Sequence, residues 1–202
     1  MSKSIEFKDV DGGNNTLRVG GESCLPNDIK WPTNPNGEKL TLIFSLPTNI
    51  LNSLFQFEYP MDRVVSVFTT YKKGDYFLDI ISYHGDIDKI DNIRAGFTKV
   101  VVHSIGESRN ESDYIVPAME IFVGEEFDVP DFYCGSLLGG NPTFLQNGNY
   151  EFDNYQFCLQ MYGGDFPNGF EDIFCLSDAV GYLFLNKKNV SSDTGLFFVQ
   201  YT

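Results

Sequence analysis

A glycine pair followed by a proline and then by a strand-like apolar run occurs twice in this chain. That recurrence limits the architecture more than any single residue does. Gly20-Gly21 precedes Pro26 and the run Leu40-Thr41-Leu42-Ile43-Phe44, and Gly139-Gly140 precedes Pro142 and the run Tyr155-Gln156-Phe157-Cys158-Leu159. Further strands are expected from Val64 and Tyr76 in the first copy and from Ala179 and Gly195 in the second. The first step, residue 40 to 64 or 155 to 179, is 24 residues in both copies, and the last is 12 against 16, as a loop insertion would make it. Two β-rich halves of any protein can share such features, so the recurrence points to a frame and not to an activity.

The expected fold is a β-rich α+β domain: two related antiparallel sheet units from an internal duplication, packed face to face about a pseudo-twofold, with a few short helices outside. Repeat one spans approximately residues 17–96, connecting strands fill 97–135, and repeat two spans 136–202, all within a single domain. Within that frame, Ile5, Phe7 and Val10 suggest a first strand, with a turn at residues 11–15 and a return at Leu17-Arg18-Val19. Residues 20–37 read as an ordered loop anchored by Trp31, the only tryptophan, stiffened by Pro32. A short helix is expected after Pro47, ended by Pro60, and another where Ile87, Ile90 and Ile93 recur at every third position. Lys72-Lys73-Gly74-Asp75 reads as a hairpin turn between strands 64–71 and 76–83. Another strand covers 97–105. Residues 114–123 read as a weaker edge strand because of Pro117, and 124–130 as an acidic loop.

Charge is unevenly distributed. The net charge is −14, yet from Asn110 to Asn186 there is no Lys or Arg, and the thirteen acids of that window account for nearly all of it. Phosphate backbones and anionic membrane surfaces would be repelled, so neither nucleic acid nor membrane is expected as a partner. A basic protein would be attracted and its encounter accelerated. The competing reading is that the acids only keep the chain dispersed. No stretch approaches a membrane-spanning length and the first residues lack the apolar core of a signal peptide, so a cytoplasmic location is expected. Cys24, Cys134, Cys158 and Cys175 are widely spaced with no Cys-x-x-Cys, which argues against zinc. Cys158 and Cys175, inside apolar runs, read as buried small hydrophobes.

The segment from Gly20 to Pro32 resembles the YwqG-like family's Gly-Gly-x-Pro-x-Leu-Pro…Trp-Pro motif. Leu138-Gly139-Gly140-Asn141-Pro142 with Phe157-Cys158-Leu159-Gln160 behind it, and Ser177-Asp178-Ala179-Val180-Gly181-Tyr182-Leu183-Phe184, are similar to two further motifs of that bacterial family. The matches fall in the family's order over most of the chain. Ser23 stands where the family carries proline, Ser45 where the first strand carries the glutamine that Gln160 keeps in the second, and Leu176-Ser177 where Trp-Gly precedes the aspartate. These departures mark a divergent member. The family has no established activity, so the resemblance implies a fold. A more distant similarity, to the programmed-cell-death-protein family, shares the Gly-Gly-x-Pro module and implies escort of a basic ribosomal protein; that family's metal-binding cysteines have no counterpart here.

Catalytic constellations are hard to assemble. Of two histidines, His103 lies in an apolar strand and reads as structural, while His84 sits at a loop mouth beside Gly85-Asp86. There is no nucleophile elbow, P-loop or dinucleotide fingerprint, and the glycine pairs are better explained as turns. The acid runs 125–131 and 165–172 do not follow the alternating ligand pattern of a calcium loop and read as solvated loops. No catalytic residue, metal or cofactor is therefore assigned. Asp178, ahead of a strand at a motif position, suggests a hydrogen bond to a neighbouring turn. The leading expectation is a non-enzymatic module whose acidic second half binds a basic protein, as an immunity protein neutralising a toxin or as a chaperone of a basic client. Glu125, Glu126, Asp128 and Asp131 are the candidate charged contacts, with Phe127, Phe132 and Tyr133 as exposed aromatic anchors. The alternative is an enzyme or small-ligand binder with a pocket between the repeats at Trp31, His84 and Asp178.

Overall fold

Ten antiparallel strands make one continuous sheet, in the order β10-β9-β8-β7-β1-β6-β2-β3-β4-β5. The computed structural model describes residues 1–9, 15–86, 90–148, 150, 152–188 and 194–202. Its strands are β1 (Ser2–Asp9), β2 (Arg18–Val19), β3 (Thr41–Pro47), β4 (Arg63–Thr69), β5 (Thr98–Ser104), β6 (Met119–Phe127), β7 (Leu137–Leu138), β8 (Tyr155–Tyr162), β9 (Val180–Asn186) and β10 (Gly195–Gln200). The helical part is small: α1 (Thr48–Phe55), α2 (Leu78–Ile81) and α3 (Ile90–Arg94). The chain is thus β-rich as expected, but its strands belong to one sheet where two separate units were anticipated. Residues 11–14 of the turn expected at 11–15, with Val10, Ile87 and Glu151, lie outside the described residues.

The sheet curls until its end strands meet. The Thr98 hydroxyl on β5 donates to the Phe197 carbonyl on β10 at 2.7 Å, and the Tyr83 N–H donates to the Val199 carbonyl at 3.1 Å. Alternation along each strand then divides the apolar residues between an inside and an outside. Val65, Val67, Leu183, Leu185, Phe197 and Val199 face one central core. Their neighbours Val180, Tyr182, Phe184, Leu196 and Phe198 face a second cluster outside the second half. Leu40, Leu42 and Phe68 face a third, beneath Trp31. Both sheet faces are covered, which is why these strands read as unbroken apolar runs. Each fully buried Phe, such as Phe44 or Phe198, contributes roughly 1.5–3 kcal/mol through burial.

The two glycine pairs do the same thing in the two halves. Gly20 and Gly21 have φ of 60° and 78°, and Gly139 and Gly140 have 70° and 68°, the left-handed region that favours glycine. The Gly20 N–H donates to the Ile43 carbonyl at 2.9 Å, and the Gly139 N–H to the Cys158 carbonyl at 2.8 Å. Ile43 and Cys158 are the extra residues of β-bulges, at matching places in β3 and β8. The loop after each pair folds over the outer face of its own half, carrying Trp31 in one case and Phe144 in the other. Trp31 anchors as expected: it is buried, and its indole N–H donates to the Leu40 carbonyl at 2.8 Å.

Three expectations are corrected. Residues 76–83 are not a strand: Phe77, Leu78 and Ile81 bury one side of the four-residue helix α2, and β4 pairs with β5 instead. Residues 114–123 are not an edge strand. β6 starts at Met119, past Pro117, and sits at the centre of the sheet between β1 and β2. The acidic loop from 124 is strand as far as Phe127, because β1 continues to pair with it through Lys3↔Glu126 and Ser2↔Phe127.

Candidate functional site

Where β6 ends, the chain turns away and faces the second glycine-pair loop across an open groove of about 760 Å³. One wall is Phe127, Asp128, Val129, Pro130 and Asp131, the other runs from Gly140 to Phe144, and Met1 and Ser2 close the base. Two of the four predicted acidic contacts, Asp128 and Asp131, therefore line a concavity, and both are exposed. Glu125 and Glu126 are exposed on the last turns of β6 beside it. Among the described residues only Glu126 of these four makes an ion pair, with Lys3 at 3.4 Å.

Other acids of the same window serve the fold. Asp165 accepts from the Ser136 hydroxyl at 2.6 Å, Asp172 from the Tyr71 hydroxyl at 2.8 Å, and Glu171 from the Gly169 N–H at 2.8 Å. Burial, and secondarily Asp172, push the Tyr71 hydroxyl well above the usual phenol range. Glu111 pairs with Lys39 and Arg109, and the Lys39 hydrogen bond holds its carboxyl below the usual range. Among the described acids of this window only Glu111 and Glu126 are paired with cations, so Asp128 and Asp131 bring part of its uncompensated charge to the groove. Among the described residues no group of His, Cys, Asp and Glu is arranged to hold a metal ion.

The three predicted aromatic anchors do not share an environment. Phe132 is 99 % exposed, but Phe127 and Tyr133 are half-buried, meet edge to face at 5.5 Å and pack against the outer cluster. Strand alternation turns Phe127 inward, so only Phe132 is available as a free apolar contact.

The groove's far wall is held by a buried side chain. Gln160 on β8 is fully buried; its Oε1 accepts from the Thr143 N–H at 2.9 Å and the Thr143 hydroxyl at 3.0 Å. Its Nε2 donates to the carbonyls of Tyr133 and Gly135 at 3.0 and 2.9 Å, so one amide ties the far wall to the chain that follows the near one. At the matching place in the first half stands Ser45, and Arg18 does the fastening instead. Its guanidinium is buried and donates to the Glu22 carbonyl at 2.7 Å and the Ser45 hydroxyl at 3.4 Å. Sequence reasoning missed Arg18, Thr143 and the Met1–Ser2 base. Only the Gln160/Ser45 departure hinted at this pair of fastenings.

The alternative pocket does not assemble. Trp31 is enclosed by Leu25, Leu40, Leu42 and Phe68, with the Arg109 guanidinium over its ring. His84 packs edge-on against Tyr201 at 5.0 Å, near the C-terminus. Asp178 is exposed in the loop before β9. The contacts described for Trp31 and His84 share no residue, and Asp178 faces solvent. The other histidine is structural, as expected. His103 is buried with Nε2 2.8 Å from the Ser66 hydroxyl and Nδ1 2.7 Å from the Ser104 carbonyl, and burial lowers its pKa. Of the cysteines, Cys24 and Cys158 are buried, Cys175 is half-buried and Cys134 is exposed; all four are free thiols. Among the described residues no helix is long and apolar enough to cross a membrane.

No family model and no curated protein matches this sequence.

Proposed function

We propose that this chain is a non-enzymatic protein-binding module, a divergent relative of the YwqG-like proteins, whose acidic groove receives a basic protein. The observation that carries the reading is the groove itself: Asp128 and Asp131 line about 760 Å³ of open space, with Glu125 and Glu126 alongside and Phe132 fully exposed next to them. Carboxylates around a concavity with an apolar contact at the rim suit Lys and Arg side chains on a folded partner. Neutralising a basic toxin and escorting a basic client in the cytoplasm both use this chemistry.

The frame behind the groove is best read as an internal duplication. The units are β1 to β5 and β6 to β10, with the first strand of each paired to the second strand of the other. The matching glycine pairs and bulges support this reading, and the unit boundaries then move to β1 and β6. In the first half the region before β2 carries Lys3 and Lys8, so the groove's charge is the second copy's own.

Capture from extracts of the native host tests the proposal. The wild-type chain is expected to retain a basic protein at low salt. The shape-preserving variant Glu125→Gln/Glu126→Gln/Asp128→Asn/Asp131→Asn is expected to release it. Equal retention by both chains would refute the reading.

A further inference from the structure

Charge of the opposite sign lines a second concavity, at the seam where the sheet closes on itself. β5 and β10 are the end strands and meet through the Thr98 hydroxyl and the Phe197 carbonyl. α3 packs beside this seam, and the cleft there has a volume of about 350 Å³. Part of its lining is aliphatic. Ile93 and Leu196 are buried members of the outer cluster, and Val100 is half-buried. Arg94 from α3 and Lys99 from β5 line the same cleft, and both are exposed.

Two features of the cleft have no counterpart inside the protein. Among the described residues neither Arg94 nor Lys99 makes an ion pair, although the chain has 28 acids against 14 bases. Thr194 also lines the cleft and is only 6 % exposed, yet its hydroxyl has no hydrogen-bond partner among the described residues. A polar group so deeply placed is ordinarily satisfied, by water or a ligand where the protein offers nothing. Gly96, in the turn between α3 and β5, makes room for one of the cations: a Cβ there would lie 3.2 Å from the Lys99 Nζ.

Two cations on one concavity raise the local potential and draw in an anion. A guanidinium fork and a hydroxyl donate to oxygen atoms, and the ammonium adds a second charge. Small-ligand sites of about 300–1,000 Å³ combine an apolar lining with a few polar groups that orient the ligand. We infer that the cleft binds a small organic anion, a carboxylate or phosphate ester on a short aliphatic body. Its head meets Arg94, Lys99 and Thr194, and its body lies against Ile93, Val100 and Leu196. The cleft shares no residue with the acidic groove, and its occupation requires no protein partner.

Calorimetric titration of the full chain with hexanoate and with hexyl phosphate tests this, with acetate and hexylamine as controls. At least one of the two anions is expected to bind about tenfold or more tightly than either control, and the tighter head identifies the ligand class. Arg94→Gln/Lys99→Gln is expected to weaken that binding at least about tenfold, and Thr194→Val to weaken it by a smaller factor. Both cations are exposed, so the double variant should melt as the wild type does. If neither anion outbinds both controls, or if the Arg94→Gln/Lys99→Gln chain binds as tightly as the wild type, the assignment is overturned.

Discussion

Replacing Gln160 with methionine tests whether one buried amide ties the groove's far wall to the chain that follows the near one. Gln160→Met keeps side-chain length and volume but removes both donor and acceptor. The Thr143 N–H and the Gly135 carbonyl lose their described partner, whereas the Tyr133 carbonyl keeps the Thr143 hydroxyl. Leaving a buried backbone group unpaired costs about 1–3 kcal/mol. Two such groups, at a site close enough to the groove for partial rehydration, put the loss at about 3 kcal/mol. For a chain of this size each kcal/mol lowers the melting temperature by about 2–4 °C, so a fall of roughly 6–12 °C is expected. Calorimetry or circular-dichroism melting reads it directly. Ser45→Ala at the matching place in the first half is the control. Its hydroxyl lies 3.4 Å from Arg18, a marginal bond, so the cost is below about 1 kcal/mol. A Gln160→Met shift under about 2 °C, or one no larger than that of Ser45→Ala, would refute the reasoning.

Other predictions follow from single features. Gly20→Ala would place a Cβ 2.5 Å from the Val116 carbonyl at a φ of 60°, whereas Gly37→Ala, at φ 83°, meets nothing within 4 Å. Denaturant titration should therefore show a loss of about 2–4 kcal/mol for the first and about 1 kcal/mol for the second. Native alkylation followed by mass spectrometry should label Cys134 first. Cys24 and Cys158, buried and with thiols pushed up by burial, should react only on unfolding. His103, whose pKa is lowered in the folded chain, takes up a proton more readily when unfolded. Stability should therefore fall as pH drops below about 6.5, and this part of the fall should be missing in His103→Gln melts.

Much of the frame was legible because the relevant signals are local. A glycine pair needing positive φ, an apolar run and a tryptophan before proline each act within a few residues, and β3, α1, β4, β5, β8, β9 and β10 all lie where patterning puts them. The failures have physical causes. Phe77, Leu78 and Ile81 fit a strand or a single helical turn equally well, and only packing decides between them. Glu125-Glu126-Phe127 reads as loop by composition, yet pairing with Ser2 and Lys3 makes it strand. Curling of ten strands into one sheet depends on long-range pairing, such as β1 with β7, that local pattern does not encode.

The candidate site was half visible for the same reason. Asp128 and Asp131 stand together in the sequence, but the opposite wall and the Met1–Ser2 base come from distant positions and appear only once the sheet is assembled. Phe127 and Tyr133 looked like surface anchors, yet strand alternation turns Phe127, and the loop beyond it carries Tyr133, against the outer cluster, leaving Phe132 outside.

The central claim is that the groove's carboxylates draw in and hold a basic protein. Its most direct test is the association rate of the purified partner, measured across salt from about 0.05 to about 0.5 M. For the wild-type chain the rate should fall at least about tenfold over that range, and for Glu125→Gln/Glu126→Gln/Asp128→Asn/Asp131→Asn it should be low and nearly flat. A salt-independent rate that the four substitutions leave unchanged would contradict it.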